Sequence, residues 1–185
     1  MHSADASDLV GVFAKELSLI RNPRLRAFAE ACLKDAPDYF WRAPASSSGK
    51  YHPEWAWGKG GLVRHTKAAM RVAVDLLRAY PHLERKRDYI IAALLLHDTL
   101  KHGAGEGYTV KEHPLLPEHR YRGHRPLVGR RTYRKIMALI RTHMGVWGPV
   151  RPRPGVFTRL TAAELVHLAD YIASREWCSE EILEK

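Results

Sequence analysis

The sequence predicts an all-α protein, and three observations favour this fold class. Apolar residues recur every three or four positions along most of the chain, as on one face of a helix. Gly and Pro residues separate these segments, and no stretch alternates apolar and polar residues as a half-buried strand does. With 185 residues, the chain is long enough for one domain with a sizeable core.

The N-terminal part of the chain predicts two helices and then an aromatic segment. Residues 5–20 carry one apolar face. Asn22-Pro23 predicts an N-cap followed by Pro at the first position of a helix that continues to about Lys34. Residues 36–61 are rich in Pro, Gly, Ser and aromatic side chains, and this segment is too long and too aromatic for a plain linker. We expect it either to pack on the core through its Trp residues or to form a lid or base-stacking wall beside a site.

Four more helices are predicted after this segment, each with an apolar face. The apolar run of the second ends in His97-Asp98, and we expect its helix to continue to Lys101. An irregular segment follows over residues 108–126. The four helices are expected to begin after Gly60-Gly61, at about Arg85, before Ile136 and at Thr161, whose cap is completed by Glu164.

Metal-capable side chains stand on the apolar faces of all four helices. They are His65, His97 with Asp98, His143 and Asp170. A lone His on such a face is more often a hydrogen-bonded core residue than a ligand, but an ionised Asp is costly to bury unless a cation pairs with it. Four such placements, each at or near a helix end, are hard to explain independently. We therefore expect a divalent cation at this site.

Imidazole with carboxylate suits Mn, Fe, Co, Ni or Zn, and Mg also fits, as one ion or two. Such a cation lowers the pKa of a bound water to near neutrality and polarises a phosphoryl oxygen. Lys101, one turn after His97, would neutralise charge on a phosphate. His113 or His124 would complete a second metal position.

Five short motifs contain these residues, and their order resembles the signature of the HD-domain metal-dependent phosphohydrolase superfamily. The motifs are Gly60-Gly61-Leu62-Val63-Arg64-His65-Thr66, Leu96-His97-Asp98-Thr99-Leu100-Lys101, Glu112-His113-Pro114, Thr142-His143-Met144-Gly145 and Leu168-Ala169-Asp170. The resemblance covers roughly residues 40–175 and is closest to the HD domain of bacterial 3′-to-5′ exoribonucleases that carry an OB fold before it. These 185 residues include no OB fold, so any nucleic acid would be held by the HD domain itself.

The resemblance implies a bundle of about six helices with a central metal site. It implies a single HD domain over residues 1–185, made of N-terminal helices (1–35), the aromatic loop (36–61) and a metal-binding core (62–175).

The resemblance also implies roles for individual residues. His65, His97, Asp98 and Asp170 would form the core metal site, and Asp98 would bridge if two metals bind. The second metal would be bound by His143 and a preceding His, for which His113 before Pro114 is preferred to His124. Lys101 matches a Lys that often follows His-Asp in this superfamily, so Asp98 and Lys101 are the expected catalytic residues.

Charge favours an anionic partner, because the formal net charge is +10. Seven basic residues lie between Arg120 and Lys135, and this segment is expected to flank the mouth of the site because it lies between His113 and His143. A solvated helix face is the other interpretation. The residues expected to contact substrate are His52, Trp57, His124, Arg130 and Arg131. These features favour a nuclease of the 3′-to-5′ exonuclease type acting on single-stranded RNA or DNA. The alternative is a phosphohydrolase of small nucleotides, of the dNTPase or 5′-nucleotidase type.

Two further classes share some of these features. A non-catalytic nucleic-acid-binding module would not need the intact His/Asp set, whereas a di-iron oxygenase has a similar ligand pattern. The two cysteines lack metal-ligand spacing, the N-terminus lacks a signal-peptide pattern, and no apolar run is long enough for a membrane span. We expect a cytoplasmic protein that does not enter membranes.

Overall fold

The structure is a computed structural model that describes residues 6–46, 51–105, 107–155 and 159–184. The N-terminal residues 1–5 and part of the aromatic segment, 47–50, lie outside the described residues. Within the described ranges the regular elements are all helical, which confirms the predicted all-α class. The α-helices there are α1 (Ala6–Gly11), α2 (Ala14–Ser18), α3 (Pro23–Lys34), α4 (Gly61–Ala79), α5 (Arg87–Leu96), α6 (Leu116–Arg120), α7 (Gly129–Arg141) and α8 (Ala162–Ala173).

The N-terminal helices differ from the prediction at one point. Instead of one helix over residues 5–20, a turn at Val12-Phe13 separates α1 from α2. The turn buries Phe13 fully, with its ring stacked 6.1 Å from that of Phe40. Tertiary packing therefore overrides the local helical pattern. The predicted start of α3 is confirmed, since the Asn22 side chain accepts hydrogen bonds from two amides of the first turn.

Helix α5 lies at the centre of the bundle. Its residues from Ile90 to Leu96 are all buried, because α3, α4, α7 and α8 pack around it. A helix that is apolar on every side suits this position. Among the described helices, none combines the length and apolar character that crossing a membrane requires.

The predicted continuation of α5 to Lys101 is wrong, because the helix ends at Leu96. The following residues form tight turns, and Gly103, at a φ of +62°, reverses the chain. The returning segment is held by a hydrogen bond from the Val110 amide to the Lys101 carbonyl at 2.9 Å. This contact holds the reversed chain, and His113 lies at the C-terminal end of α5 beside Asp98.

The segment over residues 108–126 is more regular than predicted. It contains α6 and two 3-10 turns, His113–Leu115 and Tyr121–Leu127. Pro114 and Pro117 stand at or near the starts of these short elements, where a missing amide hydrogen is tolerated.

Helices α4 and α8 pack against each other and have well-defined starts. A side chain at Gly61 would overlap the Ala56 carbonyl, so α4 begins directly against the aromatic segment. The predicted capping box of α8 is confirmed: Thr161 Oγ1 accepts from the Glu164 amide, and Glu164 Oε2 accepts from the Thr161 amide at 2.7 Å. Burial raises the pKa of the Glu164 carboxyl, but the hydrogen bonds from Thr161 outweigh it and lower the pKa overall.

Candidate metal centre

Side chains from separate segments meet at the C-terminal end of α5. They are His65 of α4, His97 and Asp98 after α5, His113 of a 3-10 turn, His143 after α7 and Asp170 of α8. Their ligand atoms form overlapping groups of three that lie within 4.8 Å of one another and could hold a metal ion. The sequence motifs therefore identified residues that the fold brings together.

Asp98 stands between two pairs of histidines. Its Oδ2 lies 3.9 Å from His65 Nε2 and 3.6 Å from His97 Nε2. Its Oδ1 lies 3.0 Å from His113 Nε2 and 3.5 Å from His143 Nε2. Each carboxylate oxygen thus faces a different pair of nitrogens, which is the arrangement of a bridging ligand.

Asp170 lies beside the pair formed by His65 and His97. Its Oδ1 lies 3.0 Å from His65 Nε2 and 3.4 Å from His97 Nε2. Two imidazoles and two carboxylates therefore surround one position, and two imidazoles and the shared Asp98 surround the other.

Backbone carbonyls orient three of the imidazoles. In each case Nδ1 donates to the carbonyl three residues earlier in the chain. The pairs are His97 with Leu94 at 2.6 Å, His113 with Val110 at 2.7 Å and His143 with Ile140 at 2.7 Å. Because a carbonyl oxygen only accepts, Nδ1 carries the hydrogen, and each ring in its neutral form presents the Nε2 lone pair to the centre. Metal-binding histidines are commonly oriented in this way.

The donor atoms fit a divalent cation. His113 Nε2 and His143 Nε2 lie 3.1 Å apart, and with both Nδ1 atoms already donating, two lone pairs face each other. A proton or a cation between the rings would relieve this repulsion. His97 Nε2 is buried and has no hydrogen-bond partner among the described residues, although two carboxylates lie nearby. Imidazole and carboxylate ligands together suit a transition metal.

The electrostatics of the cluster keep both carboxylates ionised. Burial raises the pKa of Asp98, but the charges of Lys101 and His97 hold it well below its usual range. Burial also raises the pKa of Asp170, and there the hydrogen bond from His65 is the first of several interactions that bring it well below its usual range. Ionised carboxylates are the form that binds a cation.

The two histidines with shifted pKa values in the cluster differ. Burial lowers the pKa of His97, yet the charge of Asp98 outweighs burial and the pKa is raised overall. For His143, burial prevails over the nearby Asp98 carboxylate, 3.5 Å away, and the pKa is lowered. His143 is therefore the better candidate for a neutral ligand.

The structure places Lys101 inside the cluster. Its Nζ donates to Asp98 Oδ2 at 2.6 Å, and the residue is only 8% exposed. A positive charge thus lies beside the bridging carboxylate.

Two residues of the aromatic segment were expected to contact substrate. His52 is buried, its ring lies edge-on 4.8 Å from that of His65, and neither ring nitrogen has a hydrogen-bond partner among the described residues. Burial, and then the charges of His65 and Lys101, lower the pKa of His52 to about 2, so its ring is neutral. Trp57 supports this placement, because its Nε1 donates to the His52 carbonyl at 2.8 Å.

The other expected substrate residues lie elsewhere. His124 pairs with Asp35, 3.4 Å away, and it is His113 that joins the cluster. Arg130 and Arg131 begin α7, whereas His143 follows its C-terminus, roughly 20 Å further along the helix axis at 1.5 Å per residue. This position differs from the expected one at the mouth of the site. Their role in substrate binding stays a prediction.

A pocket of about 470 Å³ beside Asp170 was not predicted. Its walls include Tyr51, Trp147, His167, Tyr171, Ser174 and Arg175. A signal was present in the sequence, since His167, Tyr171 and Ser174 follow one another at helical spacings of four and three. Such a stripe beside a metal-capable Asp marks one face of α8 as the neighbour of the site.

Comparison with known proteins gives one distant relative. No family model and no solved structure matches the chain. A curated protein of Methanocaldococcus jannaschii, named dihydroneopterin 2′,3′-cyclic phosphate phosphodiesterase, is 29% identical over 143 residues. The similarity covers 72% of this chain and 52% of the relative, so the chain spans about half the length of the curated protein. The relative's name and the buried His/Asp cluster together fit a metal-dependent phosphohydrolase.

Proposed function

We propose that this protein is a metal-dependent phosphohydrolase that acts on a small phosphate ester, such as a cyclic phosphodiester or a nucleotide. The observation that carries the proposal is Asp98, whose two oxygens face separate pairs of histidines. The name of the M. jannaschii relative supports a small cyclic substrate. The small-substrate alternative therefore agrees better with the comparison than a single-strand nuclease does. We retain the interpretation of residues 1–185 as one HD domain.

In this proposal the cluster holds one or two divalent cations. His65, His97, Asp98 and Asp170 would bind the first, and Asp98, His113 and His143 the second. When bound, such cations lower the pKa of water and polarise a phosphoryl oxygen. The mixture of imidazoles and carboxylates favours Mn, Fe, Co, Ni or Zn over Mg, which prefers oxygen ligands.

The remaining residues would bind and orient the phosphate. Lys101, beside Asp98 Oδ2, would offset negative charge on the ester. His52 has two ring nitrogens without partners among the described residues, and it lies next to His65. We therefore propose that His52 forms a hydrogen bond with the bound substrate, because a buried polar group left unpaired is unfavourable.

A nuclease stays the second candidate because of a basic cleft. Arg122, Arg125, Arg130 and Arg134 line a cavity of about 400 Å³ together with Glu118 and His119. A nucleic-acid strand that reached from the metal centre along α7 would contact this cleft, whereas a small ester would not. Substrate length therefore separates the two candidates.

The test is hydrolysis by protein reconstituted with each metal in turn. The substrates are 2′,3′-cyclic nucleotides, nucleoside mono- and triphosphates, single-stranded RNA and single-stranded DNA, with products resolved by length. We expect hydrolysis of a small phosphate ester and no shortening of single strands. Shortening of single strands without turnover of any small ester would overturn the proposal in favour of the nuclease.

A further inference from the structure

The metal centre meets solvent mainly at one side chain. The side chain of Asp170 is 18% exposed, whereas those of the other five described cluster members are 0–3% exposed. Asp170 also lines the pocket of about 470 Å³. The pocket is therefore the route by which a substrate reaches the cluster, and its volume lies in the range of small-molecule sites.

Aromatic rings form the walls of this pocket. Trp147 stacks on Tyr171, with centroids 5.5 Å apart and ring planes within 4°. Trp147 is still 58% exposed, so a large part of its surface is open. Tyr51, on the same pocket, is 60% exposed. Large aromatic side chains that are exposed around one cavity indicate a binding surface.

The aromatic wall is held rigidly relative to the metal ligands. His167 Nδ1 donates to the His143 carbonyl at 2.7 Å, which ties α8 to the loop that carries Trp147. Gly145, at a φ of +60°, lies against the His167 ring, and any side chain there would overlap this ring. The distance between the stacking surface and the cluster is thereby fixed.

A positively charged side chain, Arg175, also lies at the wall of the pocket. The Arg175 guanidinium lies 4.4 Å above the Tyr171 ring, and its Nη2 donates to Ser174 Oγ at 3.0 Å. The stacked ring and the hydroxyl hold the charge at the wall of the pocket. An anionic ligand with a planar ring would find both a stacking surface and a positive charge there.

We propose that this pocket binds the planar heteroaromatic ring of the substrate, with Trp147 as the stacking surface and the phosphate directed to the metal cluster. The ligand class is a phosphate ester that carries a nucleobase or a pterin ring. This inference rests on the proposed function, because it assumes that the ester is hydrolysed at the cluster. Stacking on an aromatic side chain suits any such ring, since every heteroaromatic base has a π-face.

The test measures ring binding separately from hydrolysis. Guanosine and neopterin contain the two ring types but no phosphate, so isothermal titration calorimetry on the full metal-loaded chain reports binding without turnover. We expect Trp147→Ala to weaken binding of at least one ring about 10- to 100-fold, the range that loss of a base stack produces. Trp147→Phe should largely restore binding. Trp177→Ala is the matched control, because Trp177 is 70% exposed and does not line the pocket.

Turnover of two cyclic phosphates then links the pocket to the reaction. Trp147→Ala should raise the KM for guanosine 2′,3′-cyclic phosphate much more than the KM for glycerol 1,2-cyclic phosphate, which has no heteroaromatic ring. If wild-type protein hydrolyses both esters but binds neither ring, the pocket assignment is wrong and the proposed function stands. If it binds a ring but hydrolyses no phosphate ester, the proposed function fails and the aromatic pocket stands. The ring that binds more tightly identifies the nucleobase or the pterin as the ligand.

Discussion

The metal centre and the basic cleft are two charged regions of this protein, and they are built in opposite ways. The metal centre gathers buried groups from distant segments, and carbonyl groups fix the direction of three imidazoles. The basic cleft consists of side chains within one short stretch, residues 115–134, and arginines such as Arg122 and Arg130 extend towards solvent.

This difference shows which charges carry information about function. Burying ionisable groups is unfavourable unless something compensates for it, so a buried cluster with facing lone pairs indicates a missing ligand. Exposed charges cost little, and exposed ion pairs contribute little. Arg120 with Asp35 and Arg141 with Glu118 are such pairs. The basic cleft is therefore weaker support for a nucleic-acid ligand than the metal centre is for a cation.

The largest expected effect is the loss of the bridging carboxylate. Asp98→Asn should abolish stoichiometric metal binding after reconstitution. It should also reduce ester hydrolysis by more than about 100-fold, because losing a residue that only orients a metal ligand already costs about 10- to 100-fold. Elemental analysis and hydrolysis measure the two effects, and circular dichroism checks that the helices persist. Asp35→Asn, the same change beside the basic cleft, should leave both quantities unchanged. Full metal content in Asp98→Asn would refute the assignment of Asp98.

The next effect is on the number of metals. His143→Ala removes one nitrogen from the Asp98 Oδ1 side and leaves the Oδ2 side intact. If two ions bind, the metal content should fall by about half while the remaining ion stays bound. His124→Ala, the same change in a histidine outside the cluster, is the matched control. Unchanged metal content in His143→Ala would indicate a mononuclear centre.

Several features of the fold and site were predictable because they depend on neighbouring residues. The caps at Asn22 and Thr161 are set within four residues of chain, and helical spacing placed His65 and Asp170 on buried faces. The reversal of the chain after α5 was not predictable, because it is held by a contact between Lys101 and Val110, which lie outside the helix. The same chain reversal brings His113 into the cluster. The aromatic pocket also joins Tyr51 to α8, and no local pattern indicates that pairing.

Acid should remove part of the stability that Asp170 contributes at the metal centre. In metal-free protein the pKa of the Asp170 carboxyl is depressed, so its contribution to stability is present above the unfolded pKa of about 3.9. That contribution is lost as the pH falls through 3.9 towards the lower folded value. As the pH falls from 6 to 3, the unfolding free energy of wild type should therefore decrease relative to that of Asp170→Asn. Urea unfolding with a chelator present measures it.

The Arg130→Gln variant is the reference for this titration, because the change removes no acidic group. A difference between wild type and Asp170→Asn that stayed constant between pH 6 and pH 3 would mean that this carboxyl titrates alike in the folded and unfolded chains. The interactions of His65 and His97 with Asp170 would then be weaker than their distances indicate.

The smallest effect is expected from the basic cleft. Arg130→Gln combined with Arg131→Gln removes two charges roughly 20 Å along α7 from His143. That distance is about two Debye lengths at 0.1 M salt, so kcat/KM for a cyclic nucleotide should change less than about twofold. If single strands bind the cleft instead, their affinity should fall, and the slope of log affinity against log salt should become shallower by about 1.4, or 0.7 for each lost phosphate contact. Equal losses on the small ester and on single strands would mean that the two regions are coupled, and the contrast between a functional centre and a solvated basic surface would then be wrong.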